Sequence, residues 1–402
     1  MSSVTAAPRD ETSAAVARRW VRTARLHAGE DPAEGGRRAA AEVLAGADAK
    51  LVIAFCSDDL DLEAFVAGVG AARGDVPLVG CSTAGELSTE GPSDGGAVLI
   101  GLGGPGFSIT TSLTRGVAVR LHDAAADAAR AALPDRELEH RLLLLLTDGL
   151  AGDQQEVVRG AYSVTGSGIP LVGGCAGDEL RMRRTRQIHG DEVLTDAIVA
   201  VGLASDAPLG IGVHHGWTKV GDAMVVTASA GTRVLSLDDR PALDVYLDRL
   251  DAPEAARSDP ERFTQFSLTH PLGLDRRSGD EVRFVAGADF EERSLLCIAE
   301  VPQGGLAHFM RGDAASVLSA TTAACNQAIE RLGGAPPIGL LAFDCIARRA
   351  VLGPEGLTDE TDAIAERAGG APFVGFYTYG EIARTSGMRG FHNQTLVLLA
   401  IA

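Results

Sequence analysis

Continuous apolar runs punctuate this chain: KLVIAFC at Lys50–Cys56, five leucines inside Arg141–Thr147, and IGLLAF at Ile338–Phe343. Runs without polar alternation predict strands buried on both faces, as in sheets insulated by helices. Alanine-rich segments of helical period lie between them. Asp31-Pro32 offers an acidic cap and a first-turn proline, which predicts a helix over Ala33–Ala45, and Asp61–Ala72 predicts another. With strands at Trp20–His27, Pro77–Thr83 and Ala97–Leu102, the order from residue 20 is β-α-β-α-β-β.

The same order returns at once. Phe107–Thr114, Arg141–Thr147, Pro170–Cys175 and Ala197–Leu203 read as strands, Leu121–Leu133 and Gln154–Val164 as helices. Landmarks recur roughly ninety residues apart, from Lys50 to Arg141 and from Pro77 to Pro170, the mark of a repeated unit. A third unit is read later, with strands Ser294–Glu300 and Leu306–Met310, helix Ala314–Leu332, strand Ile338–Phe343, helix Leu357–Ala368, and strands Pro372–Tyr379 and Thr395–Ile401. Residues 208–293 then hold a degenerate copy or an insertion. The predicted fold is α/β: repeated β-α-β-α-β-β units forming mixed sheets covered by outer helices, in two domains. Residues 1–19 read as a flexible tail, 20–240 as a two-unit domain, and 241–402 as a linker plus the third unit.

Each unit carries one recurring turn. VPLVGCSTAGEL at Val76–Leu87, IPLVGGCAGDEL at Ile169–Leu180 and APFVGFYTYGEIA at Ala371–Ala383 share proline, two apolar residues, glycine, four variable positions, then Gly or Asp and Glu. A glycine at a strand end permits close backbone approach, and an acid just beyond it completes a plausible binding corner. Gly80, Gly173 and Gly375 are expected at matching positions.

Composition narrows the partners. The 402 residues hold 36 Lys+Arg against 54 Asp+Glu, a net charge of −18, which disfavours nucleic acid and anionic membrane surfaces. No CxxC spacing links the six cysteines, so a reduced cytoplasmic setting is expected, without a zinc site or a disulfide framework. Neither a signal peptide nor a spanning helix is read.

Several motifs resemble the FIST family. LTDGL at Leu146–Leu150, GGCAGDE at Gly173–Glu179, HGW at His215–Trp217 and the following Val226-Thr227 are similar to the FIST N-terminal domain. FDCIAR at Phe343–Arg348, GFYTYGEIA at Gly375–Ala383 and HNQTLVLLAI at His392–Ile401 are similar to the C-terminal one. The resemblance implies an intracellular, bacterial-type sensory module that binds a small ligand, an amino acid being one suggestion. It would signal in trans to a separate output protein such as a kinase or cyclase. Some members bind haem and respond to nitric oxide, which would make His392 or His215 an axial ligand here.

Residue by residue, the third corner is the expected ligand site. Tyr377 and Tyr379, two of only four tyrosines, fall on alternate strand positions and so on one face, where they read either as a ligand wall or as core. Arg348 reads as an anchor for a ligand carboxylate or as half of a salt bridge, and Glu381 as a partner for an ammonium or a brace of its turn. Gly375 and Gly380 admit the ligand to the backbone, His392 precedes the closing strand, and Cys345 is a strand-end thiol. Glu86, Glu179 and Asp178 hold the related positions in the other corners. An enzyme using a cysteine or a carboxylate is the weaker alternative, since GxSxG, HExxH and GxxxxGK[ST] are absent from the sequence.

Overall fold

The computed structural model describes residues 18–134, 138–276, 279–385 and 390–402. Its first unit comprises β1 (Trp20–Leu26), α1 (Pro32–Val43), β2 (Ala49–Ser57), α2 (Leu62–Arg73), β3 (Leu78–Thr83), a hairpin β4–β5 (Glu86–Ser88, Gly91–Ser93) and β6 (Ala97–Gly103). The second comprises β7 (Phe107–Arg115), α3 (Leu121–Ala132), β8 (His140–Thr147), α4 (Gln154–Thr165), β9 (Leu171–Cys175), the hairpin β10–β11 (Gln187–His189, Glu192–Leu194) and β12 (Ala197–Ser205). Asp31 and Asp61 cap α1 and α2 by accepting the Glu34 and Ala64 N–H groups, so the sequence punctuation fixes these helix starts.

The third unit opens with β13 (Leu209–His214), and an insertion then follows. It holds β14 (Thr218–Ala230), β15 (Arg233–Leu237), β16 (Arg240–Pro241), α5 (Ala242–Arg249), a 3-10 turn (Glu254–Arg257) and α6 (Pro260–Ser267). Next come β17 (Leu272–Arg276), β18 (Gly279–Arg283), β19 (Val285–Asp289), β20 (Ser294–Cys297) and β21 (Leu306–Arg311). The unit resumes with α7 (Ala314–Glu330), β22 (Gly339–Cys345), α8 (Ile346–Ala368), β23 (Phe373–Thr378), the hairpin β24–β25 (Glu381–Arg384, Phe391–His392) and β26 (Leu396–Ile401).

This corrects the reading of the third unit. Ser294–Glu300 and Leu306–Met310 belong to the inserted eight-stranded sheet, whereas β13 pairs with β26 from Leu209 opposite Ile401. Gly210 and Gly212 let α7 rest on β13: a Cβ on either would come within 1.9 Å of the Ala328 or Ala324 carbonyl. Packing therefore joins a strand to a helix that the insertion separates in sequence. Residue 240, where the sequence reading divides the chain, lies in β16 of the inserted sheet.

The three main sheets have the same strand plan, β1-β6-β2-β3, β7-β12-β8-β9 and β13-β26-β22-β23, and each is completed by another unit's hairpin. The first unit lends β4–β5 to the third, the third lends β24–β25 to the second, and the second lends β10–β11 to the first. The exchange closes a ring. Gly80, Gly173 and Gly375 occupy one register, opposite Ile188, Ile382 and Leu87 of the incoming hairpins. A Cβ at these glycines would meet the Ala54, Leu145 or Ala342 carbonyl at 2.2, 2.0 or 2.3 Å, which is why the turn keeps glycine there.

Apolar faces of all three sheets meet in one central core, including Ile53, Phe55, Leu144, Leu146, Phe343 and Leu399. Phe55 packs 4.6 Å from Phe376 and 6.2 Å from Phe343, ring pairs each worth about 0.5–1.5 kcal/mol beyond burial. The opposite faces carry the helices, α1 and α2 over the first sheet and α3, α4, α7 and α8 over the other two. Two-sided burial accounts for the unbroken apolar runs in the sequence.

Candidate functional site

The three glycine turns converge at the carboxyl ends of β3, β9 and β23, where open α/β sheets gather ligands. They interlock through the backbone. The Gly177 N–H donates to the Ser82 carbonyl at 3.0 Å, Tyr379 to Cys175 at 3.1 Å, and Ala84 to Tyr377 at 3.0 Å, and each junction has a second backbone bond, from Ser82 to Arg186, Cys175 to Gly380 and Tyr377 to Gly85.

Glu86 and Glu381 are fully buried braces. Glu86 accepts the Thr83 hydroxyl at 2.6 Å; Glu381 accepts Thr378 at 2.5 Å and both the N–H and the hydroxyl of Thr395 at 3.1 and 2.8 Å. Burial pushes their carboxyl pKa values up to about 8 and about 7 despite these bonds.

The second corner departs from this plan. Asp178 stands where the others have Gly85 and Gly380, and its carboxylate accepts the Met182, Arg183 and Arg184 N–H groups at 3.0, 2.7 and 3.1 Å as well as the Tyr379 hydroxyl. Burial alone pushes its pKa up, but the Tyr379 and backbone bonds hold it below the ordinary value. The chain from Glu179 to Arg186 becomes a strap, with left-handed backbone at Glu179, Leu180 and Met182. The Leu180 N–H donates to the Tyr379 oxygen at 2.6 Å, tying the second corner to the third.

A cleft of about 580 Å³ opens beside this junction. Ala84 and Asp94 of the first unit, Glu179 and Leu180 of the second, and Ile346, Arg349, Ala350, Gly353, Pro354 and Leu357 of the third line it. Gly353, at φ 66° and ψ 177°, breaks α8 just before Pro354 and shapes the cleft wall. Arg349 donates to the Ala84 carbonyl at 2.6 Å, pairs with the 58% exposed Asp94 at 2.7 Å, and lies over the Tyr377 ring. A second cleft, of about 770 Å³, lies across the strap between Asp58–Glu63 and Arg181, Arg183, Arg184 and Arg186.

The residues expected to hold ligand sit mostly behind this surface. Arg348, fully buried, bonds Asp344 and Glu360 at 2.6 Å each and Thr321 at 2.8 Å. Burial alone lowers its pKa, but the two acids outweigh that and hold it above the ordinary value. The expectation that Tyr377 and Tyr379 share one face is corrected: β23 ends at Thr378, and the hydroxyls diverge, Tyr377 to Glu360 at 3.3 Å and Tyr379 to Asp178. Glu381, Glu86, Gly375, Gly380 and Cys345 are buried, and none of them lines either cleft. Sequence reasoning missed Arg349. Arg348 and Arg349 lie on one helical turn about 100° apart, so one faces the core and the other the cleft, and only the start of α8 at Ile346 sets that phase.

A haem requires a histidine nitrogen aimed into an apolar cavity. His392 Nε2 bonds the Ala383 carbonyl at 2.9 Å, His215 Nδ1 accepts the Trp217 N–H at 3.0 Å, and neither lines a cleft, so these residues do not fit the group. The histidine motifs join each other instead, through the Trp217 indole N–H and the Gln394 carbonyl at 2.9 Å. All six cysteines are buried, and burial pushes the Cys175, Cys297 and Cys325 thiols up to about 12. Among the described residues no helix is long and apolar enough to cross a membrane.

Three α/β units interlocked through exchanged hairpins, with polar and apolar groups converging at their strand ends, define a modular α/β protein with a concave site between units. The chain belongs to the FIST family: residues 50–240 match the FIST N domain and 242–384 the FIST C domain. FIST domains are sensory, ligand-binding modules of signal transduction. An uncharacterised protein of Methanocaldococcus jannaschii is 26% identical over 153 residues, a match that covers 36% of this chain and 30% of that relative. The crystal structure of a cyanuric acid hydrolase from A. caulinodans aligns over 96% of this chain and 99% of its own at 11% identity and a TM-score of 0.41, a similarity that carries no argument about activity.

Proposed function

We propose that this protein is a cytoplasmic sensor that binds a small, partly polar ligand such as an amino acid in the 580 Å³ cleft and acts in trans on a separate output protein such as a kinase or cyclase. One contrast between neighbouring arginines carries the reading. Freeing Arg348 from its buried pairs would cost about 3–5 kcal/mol, more than a new ion pair returns. Arg349 is held by Asp94 at the cleft mouth, and such an exposed pair is worth about 0–1 kcal/mol, so a ligand carboxylate can replace it. Glu179 offers a carboxylate for an ammonium, while Ile346, Pro354, Leu357 and Leu180 take the apolar body.

The test is titration calorimetry with the common amino acids on the parent protein and on Arg349→Ala. Loss of one charge-assisted bond predicts binding weaker by about tenfold or more with the fold intact. Undiminished binding to Arg349→Ala would move the site elsewhere.

A further inference from the structure

Among the described residues, three ionisable side chains line the 580 Å³ cleft: Asp94 from the first unit, Glu179 from the second and Arg349 from the third. Two carboxylates therefore stand against one guanidinium. The Arg349–Asp94 pair, 2.7 Å apart at the mouth, sets a cation beside an anion, and an α-amino acid head group is the reverse of that pair, a carboxylate for Arg349 beside an ammonium for Asp94. Glu179 is then left over. It reaches the cleft because its corner departs from the repeat: Glu86 and Glu381, its equivalents, are fully buried against threonine hydroxyls, whereas alanine stands at that threonine position here and Glu179 turns out on left-handed backbone with 25% of its side chain exposed. Its present bonds do not neutralise it. The Ser57 hydroxyl donates to one oxygen at 2.8 Å and Arg181 reaches the other at 3.2 Å, but Arg181 lies closer to Asp59, at 2.6 Å. Asp58, Asp59, Glu63 and Glu179 share the two guanidinium groups of Arg181 and Arg186, and Arg183 and Arg184 line the second cleft instead of this one. In the third unit Pro354 has no N–H for the Ala350 carbonyl, and both residues line the cleft, so its wall leans further toward acceptors.

We propose that the cleft selects an amino acid whose side chain ends in a cation, such as lysine, and that Glu179 is the residue that reads it. The proposal rests on the reading of this cleft as the ligand site and goes beyond it in naming the class. The ligand carboxylate meets Arg349, its α-ammonium Asp94 and its side-chain cation Glu179, while the methylene stem lies along Ile346, Leu357 and Leu180. A neutral amino acid gives Glu179 no new partner. An acidic one sets a second carboxylate against it, which disfavours binding through like-charge repulsion.

The experiment is titration calorimetry on the full chain with four probes: lysine, norleucine, which has the same stem without the terminal ammonium, glutamate, and cadaverine, which lacks the carboxylate. Lysine is expected to bind about tenfold or more tighter than norleucine through the charge-assisted bond to Glu179, and tighter than cadaverine by a similar factor through Arg349. Glutamate should bind most weakly of the three amino acids. In Glu179→Gln, which keeps an oxygen for the Ser57 hydroxyl, the ratio of lysine to norleucine affinity should fall toward one, whereas Arg349→Ala should weaken both amino acids and keep the ratio. A general loss of packing would not separate the two probes in this way. Equal binding of lysine and norleucine by the parent protein would overturn the proposal and leave the cleft an amino-acid site. An unchanged ratio in Glu179→Gln would overturn the assignment of Glu179, and cadaverine binding as tightly as lysine would make the occupant a diamine. Absence of binding by every amino acid would remove the ligand reading of the cleft, and this proposal with it.

Discussion

Two corners of this molecule follow the same chain plan and end differently. At Thr378–Glu381, as at Thr83–Glu86, a threonine hydroxyl closes onto a buried glutamate with glycine between them, and a hairpin leaves directly for the next sheet. At Ala176–Glu179 alanine replaces the threonine and aspartate replaces the glycine, the brace is absent, and Glu179 turns outward to accept the Ser57 hydroxyl at 2.8 Å. The hairpin starts only at Gln187, and the intervening residues become an exposed strap gathered around Asp178. Equivalent positions in a repeated fold thus divide the work: the first and third corners seal the ring, and the second, relieved of its brace, faces solvent.

The strongest way to break that contrast lies just behind the third corner. Arg348→Ala would leave Asp344 and Glu360 buried without their cation and should destabilise by about 3–5 kcal/mol in urea unfolding.

The two sealed corners should also carry a pH signature that the second lacks. A carboxyl whose folded pKa is raised keeps a proton that the unfolded chain releases, so its contribution is full below the unfolded value of 4.5. It declines as pH rises through about 7 for Glu381 and about 8 for Glu86. The loss is on the order of 3–5 kcal/mol for each glutamate, and Glu86→Gln combined with Glu381→Gln should flatten the urea midpoint against pH. An unchanged slope in the double variant would show that the glutamates are ionised in place.

A smaller effect is expected at Asp178. Its replacement by alanine strands three N–H groups and the Tyr379 hydroxyl, at about 2 kcal/mol, and should raise hydrogen exchange in residues 179–186 ahead of the rest of the chain. Equal exchange in variant and parent would remove Asp178 as the organiser of the strap. Smallest of all is the stability change from Arg349→Ala, about 0.5 kcal/mol by thermal melting, since its ion pair is with an exposed acid. The neighbouring pair Arg348 and Arg349 should therefore separate cleanly, one acting on stability and the other on ligand.

Much of this was written in the chain itself. Unbroken apolar runs such as LVIAF and LLLLL required sheets covered on both faces, and Asp31 and Asp61 marked helix starts through local geometry alone. The spacing of Gly80, Gly173 and Gly375 anticipated three matching registers, because a close strand crossing tolerates no Cβ. Tertiary structure decided the rest. Nothing local to Leu209–His214 says that it pairs with Leu396–Ile401 or supports a helix that begins at Ala314, since strand pairing is satisfied by whichever edge packing brings near. Nor does a turn sequence reveal that its hairpin will complete another unit's sheet. The site followed from those two facts: the exchange of hairpins set Leu180 and Glu179 against the third unit, and the phase of one helix turned Arg348 into the core and Arg349 toward the cleft.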